Sequence, residues 1–261
     1  MRRQLHILTA LAALAVPCGM AQAQSLTLAK IETINKAVDS FLALAKDSHT
    51  TGKPPRYSDA AAKPLLDTVF GTKDLQGGKP LPWASVQMLQ EWNKATVKVG
   101  LIYYLAGTGS SDSLVVAKDP EKIRKANSNT ALFYPEFGMY YDAQLRIHAA
   151  MIDSAQAQLA DASDEQKKDQ TFLKALNNIS DGTAKAMIGL LGTFVIDGLP
   201  DDWLLLRAVM LLDITPKAAR FMEPNDRTLV RNAAVEIGEH AKNPDVKSAA
   251  NTIARAFQMI R

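Results

Sequence analysis

The sequence predicts an all-α protein: one domain in which about eight to ten helices form an orthogonal or irregular bundle around a central apolar helix pair. Three observations predict it. Apolar residues recur at three- and four-residue steps along most of the chain. The only short stretch of strand-like composition is Ser110 to Lys118, and one strand does not make a sheet. Finally, the segment from Ala184 to Thr215 is strongly apolar and is interrupted by the turn-like insert Asp197-Gly198-Leu199-Pro200.

Residues 1–23 read as a cleaved secretory leader. Met1-Arg2-Arg3 is a short basic start, Ile7 to Val16 is apolar, and Ala21-Gln22-Ala23 is a small-x-small cleavage pattern. A Sec-type leader implies a periplasmic protein; the two arginines admit a twin-arginine route as the alternative. Val16-Pro17 before Cys18 departs from the small residues of a lipoprotein motif. Cleavage after Ala23 leaves a single domain over residues 24–261 and removes the only cysteine, so the mature chain lacks a disulfide, a thiolate nucleophile and a cysteine metal ligand. The basic count falls from 30 to 28 against 27 acidic residues. That near balance, without a long single-sign run, argues against a nucleic-acid partner.

The mature chain opens with an amphipathic helix from Leu26 to Lys46, followed by a loop over His49 to Arg56. Ser58 or Asp59 is expected to cap a short helix ending before Gly71. Gly71 to Pro82 is a Gly- and Pro-rich loop, and Gly77-Gly78-Lys79 within it lacks the flanking residues of a phosphate-binding loop. Pro82 opens a helix to about Ala106, ended by Gly107 and Gly109. Asp119-Pro120-Glu121 caps a short helix to about Ala126. Phe133 to Ala162 is a long helix, and Ser163-Asp164-Glu165-Gln166 has the spacing of a capping box for the next.

That next helix leads into the central apolar stretch. Its uncharged run, Ala186 to Ile196, is shorter than the roughly 20 residues a membrane span needs. Gly189 and Gly192 are expected to let a neighbouring helix approach closely. Pro200 suits a first-turn position, with Asp201 and Asp202 at the positive helix end. Arg207, in the middle of the second apolar helix, is expected to pair with a carboxylate or to snorkel. Three X-Pro starts, at Pro216, Pro224 and Pro244, predict short helices in succession, the last two as an antiparallel hairpin.

The densest aromatic segment runs from Phe133 to Tyr141. Tyr134, Phe137, Tyr140 and Tyr141 are candidate ligand-binding residues, since tyrosines offer an apolar wall with a polar tip; Tyr103-Tyr104 could extend that wall. The weak catalytic candidates are Glu136 and His148. Glu236 and His240, four residues apart, are a weak metal candidate, two of the three or four ligands a site requires; a solvated pair near a helix C-terminus accounts for both. There is no Glu-x-x-His, no His-Glu-x-x-His, no Cys-x-x-Cys-His and no Gly-x-Ser-x-Gly. No cofactor is expected.

These features point to an exported helical protein of the binding type, non-catalytic, engaging an envelope protein or a small apolar or aromatic ligand. An immunity-type inhibitor of an envelope toxin is one version. The alternative is an envelope hydrolase or lyase working through Glu136, Tyr140 and His148.

Overall fold

The structure is a computed structural model that describes residues 26–75 and 79–259. The expected leader at 1–23, with Cys18, and the Gly77-Gly78 pair lie outside the described residues. Among the described residues there are eleven α-helices and no strand. They are α1 (Leu28–Leu44), α2 (Ser48–Thr51), α3 (Lys63–Phe70), α4 (Ser85–Tyr104), α5 (Ser113–Val116), α6 (Pro120–Leu132), α7 (Tyr134–Asp161), α8 (Gln170–Thr193), α9 (Asp201–Phe221), α10 (Pro224–His240) and α11 (Pro244–Gln258). The described residues form an all-α bundle in which nine of these helices have seven residues or more. No helix among the described residues is long and apolar enough to cross a membrane.

Helix starts follow local chemistry. Asp119 caps α6 by accepting from Glu121 N and Lys122 N, Asp169 caps α8 through Phe172 N, and Asn243 caps α11 through Asp245 N and Val246 N. Pro224 and Pro244 open α10 and α11, where a missing N–H costs nothing. Between α8 and α9, Gly198 adopts a positive φ of 88° in the turn.

Helix α7 is the shared wall. At 28 residues it is about 42 Å long, and it packs on α4, α8 and α9. Helix α8 then lies against α10, α9 lies against α11, and α10 pairs with α11. Five helices thus close a ring over a core that includes Met187, Leu190, Leu191, Leu211, Ile214 and Val230. Helices α3 and α4 cover the remaining side of α7, with α1 packed on both of them, and the fully buried Trp92 of α4 donates Nε1 to Val69 O of α3 (2.7 Å). Helices α7 and α9 run parallel: Trp203 Nε1 donates to Tyr134 O (2.8 Å), Arg207 Nη2 meets Asp142 (3.0 Å), and Lys217 meets Asp153 (2.6 Å) in matching order.

Several local expectations are corrected. No helix starts at Thr215-Pro216; Pro216 sits inside α9. A proline inside a helix costs about 3 kcal/mol, but burial of Ile214, Thr215, Ala218 and Ala219 on either side of it offsets that cost. Asp59 does not cap α3, because its carboxylate accepts from Arg56 N (2.7 Å) in the preceding turn and α3 begins at Lys63. The strand-like stretch holds the short helix α5, with Val116 buried in a satellite cluster beside Leu105 and Ala126. The capping box at Ser163 forms reciprocally, Ser163 N to Gln166 Oε1 (2.9 Å) and Gln166 N to Ser163 Oγ (3.3 Å), yet it heads a 3-10 turn over Gln166–Lys168. The apolar pair is buried along a stripe only, since Leu206 and Val209 on α9 are exposed.

The glycines that permit close helix approach are not Gly189 and Gly192. A Cβ at Gly100 would meet the Tyr140 ring at 2.8 Å, one at Gly182 would meet His148 Cε1 at 2.9 Å, and one at Gly138 would meet Arg207 Nη2 at 2.6 Å. At Gly192 nothing lies within 4 Å. Gly192→Ala is therefore expected to raise stability by up to about 1 kcal/mol through helix propensity. Gly182→Ala is expected to lower it by about 1–2 kcal/mol, because overpacking against a buried ring outweighs the same propensity gain. Urea denaturation midpoints of the two variants check the sign of each change.

Candidate functional site

The aromatic segment begins at a sharp corner, where Phe133 alone joins α6 to α7 and Pro135 occupies the first turn. Glu136 follows at the positive end of α7, as a carboxylate prefers. Its side chain is buried and closed off. Oε1 accepts from Arg56 Nε (3.0 Å) and from Tyr57 N (2.8 Å), and Oε2 lies 3.4 Å from Arg56 Nη2. The Arg56 guanidinium also lies over the Phe133 ring, 4.9 Å from its centroid. Beside it Tyr103 OH donates to Pro55 O (2.7 Å). Glu136 thus fastens the 53–57 loop to the bundle. Arg56 and Tyr57 were not marked by the sequence, since their partner lies about 80 residues away.

The four aromatic candidates are distributed rather than gathered. Phe137 is buried. The Tyr140 ring rests on Gly100 and meets Phe70 and Phe137 edge-on (6.5 and 6.3 Å); burial pushes its phenol up to about 12. Tyr141 stacks near Phe137 (6.2 Å, 28°) and its hydroxyl donates to Gly189 O (3.3 Å). Burial raises that phenol too. Tyr134 is 38% exposed, with its carbonyl bound by Trp203 Nε1.

His148 faces α8, packed on Gly182, with Nδ1 3.1 Å from Thr183 Oγ1. The Thr183 hydroxyl donates its one proton to Ile179 O (2.7 Å), which leaves His148 Nδ1–H as the donor between the two side chains. Glu136, Tyr140 and His148 consequently face three different neighbours: the 53–57 loop, α4 and α8. A joint catalytic centre of the three is not assembled.

Glu236 and His240 also separate. His240 Nδ1 bonds the backbone carbonyl of Glu236 (2.8 Å), while the Glu236 side chain lines a surface groove with Arg231 and Arg255. Among the described residues no three His, Cys, Asp or Glu side chains converge on a metal position. The carboxylates of the central turn are engaged structurally. Asp197 pairs with Lys242 (2.5 Å), Asp201 accepts from Asn243 Nδ2 (2.9 Å), and Asp202 accepts from Trp203 N (2.9 Å).

One aromatic candidate opens onto a cavity. A cleft of about 690 Å³ lies between α6 and the C-terminal half of α8, walled by Tyr141, Tyr104, Ile188 and Ile196. Gly189 and Gly192 form its floor, and Asn127, Ser128, Thr130, Thr193 and the Lys242-paired Asp197 supply its polar groups. The two glycines keep it open: the nearest atom to a Cβ at Gly189 is Tyr141 Cε1 at 3.9 Å. Tyr104 and Tyr141 were legible as wall residues; the α6 edge was not, because its polar residues read as a solvated helix face. No protein-family model, no curated protein and no solved structure matches this chain.

Two outcomes are expected. Glu136→Ala should destabilise by about 1–3 kcal/mol by leaving Tyr57 N–H without its acceptor and should speed proteolytic cleavage near Arg56; limited trypsin digestion checks this. Burial holds His148 at about 4 in the folded chain, against 6.5 ordinarily. Between those values the unfolded chain binds a proton that the folded chain refuses, so stability falls as pH drops from about 6.5 to about 4, by about 3 kcal/mol. The loss levels off below that window. Comparing urea unfolding of wild type and His148→Gln from pH 7 to pH 4 isolates this component.

Proposed function

We propose that this chain is an exported helical protein of the binding type, acting in the periplasm, and that it holds a small apolar or aromatic ligand in the cleft between α6 and α8. The observation that carries the reading is the open floor at Gly189 and Gly192 beneath the rings of Tyr104 and Tyr141. Its volume of about 690 Å³ lies within the roughly 300–1,000 Å³ of small-molecule sites. Its composition matches as well, with rings and aliphatic side chains beside a few amide and hydroxyl groups, and the one carboxylate of its lining, Asp197, is paired with Lys242. Tyr141 is well suited to its place. Its hydroxyl is tied to Gly189 O, so the ring is held in one orientation and little side-chain freedom remains to be lost on binding.

Export rests on the leader pattern of residues 1–23, and the non-catalytic reading on the engaged state of Glu136 and the separation of Glu136, Tyr140 and His148. The test is a titration with N-phenyl-1-naphthylamine, an uncharged aromatic probe that fluoresces in apolar sites. Wild type is expected to give saturable fluorescence. Gly192→Leu places a side chain where nothing lies within 4 Å and should weaken binding about tenfold or more while leaving the melting temperature unchanged or higher. A Gly192→Leu protein that binds the probe like wild type would overturn the site.

A further inference from the structure

The parallel pair α7 and α9 borders a second cleft, of about 660 Å³, whose lining also takes in Leu75, Pro80, Leu81 and one further charge of each sign, Asp74 and Lys79. Charges of opposite sign alternate around it. Arg146 and Asp153 stand on α7, seven residues or about 10 Å apart along the helix, and Asp213 and Lys217 stand on α9, about 6 Å apart. Lys217 and Asp153 meet between the helices (2.6 Å). The floor is apolar, made by Ala149 and Ala150. From it a recess of about 140 Å³ continues between Leu145, Met210 and Ile214. The Arg146, Asp213 and Lys217 side chains border both compartments, so the two are continuous.

Alternation of sign selects the kind of molecule that can bind. An anion drawn toward Arg146 and Lys217 is repelled at similar range by Asp153 and Asp213, and a cation meets the reverse balance. A small molecule carrying both signs is attracted at each end. The recess adds a second requirement, since an apolar cavity of about 150 Å³ admits a benzene-sized group. We propose that this cleft binds a free α-amino acid with an apolar side chain. The carboxylate faces Arg146 and Lys217, the ammonium faces Asp213 and Asp153, and the aliphatic or phenyl group enters the recess beside Met210. Arg146, Asp153 and Lys217 are half-buried and Asp213 is exposed, which leaves the cleft accessible to solute.

The full chain titrated by calorimetry with L-leucine, L-leucinamide and 4-methylpentanoate tests this. L-leucine has both charges, the amide only the cation, and the acid only the anion. L-leucine is expected to bind at least about tenfold more tightly than either analogue. Asp213→Asn, at an exposed position that leaves folding intact, should remove most of that advantage, and Met210→Trp should weaken L-leucine by filling the recess. No heat with L-leucine, equal affinity for the analogues, or unchanged affinity in Asp213→Asn would overturn the proposal. Binding of N-phenyl-1-naphthylamine to the α6–α8 cleft is read separately, so the two sites stand or fall independently.

Discussion

The bundle depends on how closely three helices approach α7, and each approach is made through a glycine. Gly100 of α4 receives the Tyr140 ring, Gly182 of α8 receives His148, and Gly138 of α7 itself receives Trp203 and Arg207 of α9. The distance between packed helices is set by the side chains at the contact. Removing a Cβ at each crossing lets a large group lie directly on the neighbouring backbone. The long helix can thereby be covered on three sides while carrying residues as large as tyrosine and histidine.

The same closeness explains the polar groups in the middle of the fold. Arg207 lies in the apolar α9 helix with its guanidinium over the Trp203 ring (5.0 Å) and against Asp142 (3.0 Å). Burial raises the Asp142 carboxyl and lowers Arg207, each partly opposed by the other's charge. Asp142 Oδ1 and Arg207 Nε have no hydrogen-bond partner among the described residues. Such a pair contributes little net stability. Together with Asp153 and Lys217 it aligns the parallel helices α7 and α9, whose carboxylates and cations meet in matching order. That alignment opens the charged cleft, whereas the bare stripe at Gly189 and Gly192 opens the apolar one.

Much of the helix order was legible because capping and proline chemistry is local. Asp119, Pro224, Asn243 and Pro244 act where their backbone geometry dictates, within three residues of themselves. Pro216 shows the boundary of that legibility. Its local preference is to start a helix, and packing on both sides of it prevails. The capping box at Ser163 is a milder case: its hydrogen bonds form as the spacing implies, but Asp169 starts α8.

The sequence by itself determined the helical class, the turn at Asp197–Pro200, the aromatic character of the α7 N-terminal turns and the absence of common catalytic signatures, since each follows from residue type and short-range spacing. Only the tertiary structure decided which glycines are covered and which are open, that Glu136 clamps a loop, that His148 lies sealed against α8, and that of Tyr134, Phe137, Tyr140 and Tyr141 it is Tyr141 that lines the apolar cleft, beside Tyr104. The reason is physical. A side chain's role depends on what stands opposite it, and for α7 those partners come from Gly100, Gly182 and Arg207, placed by helices distant in the chain.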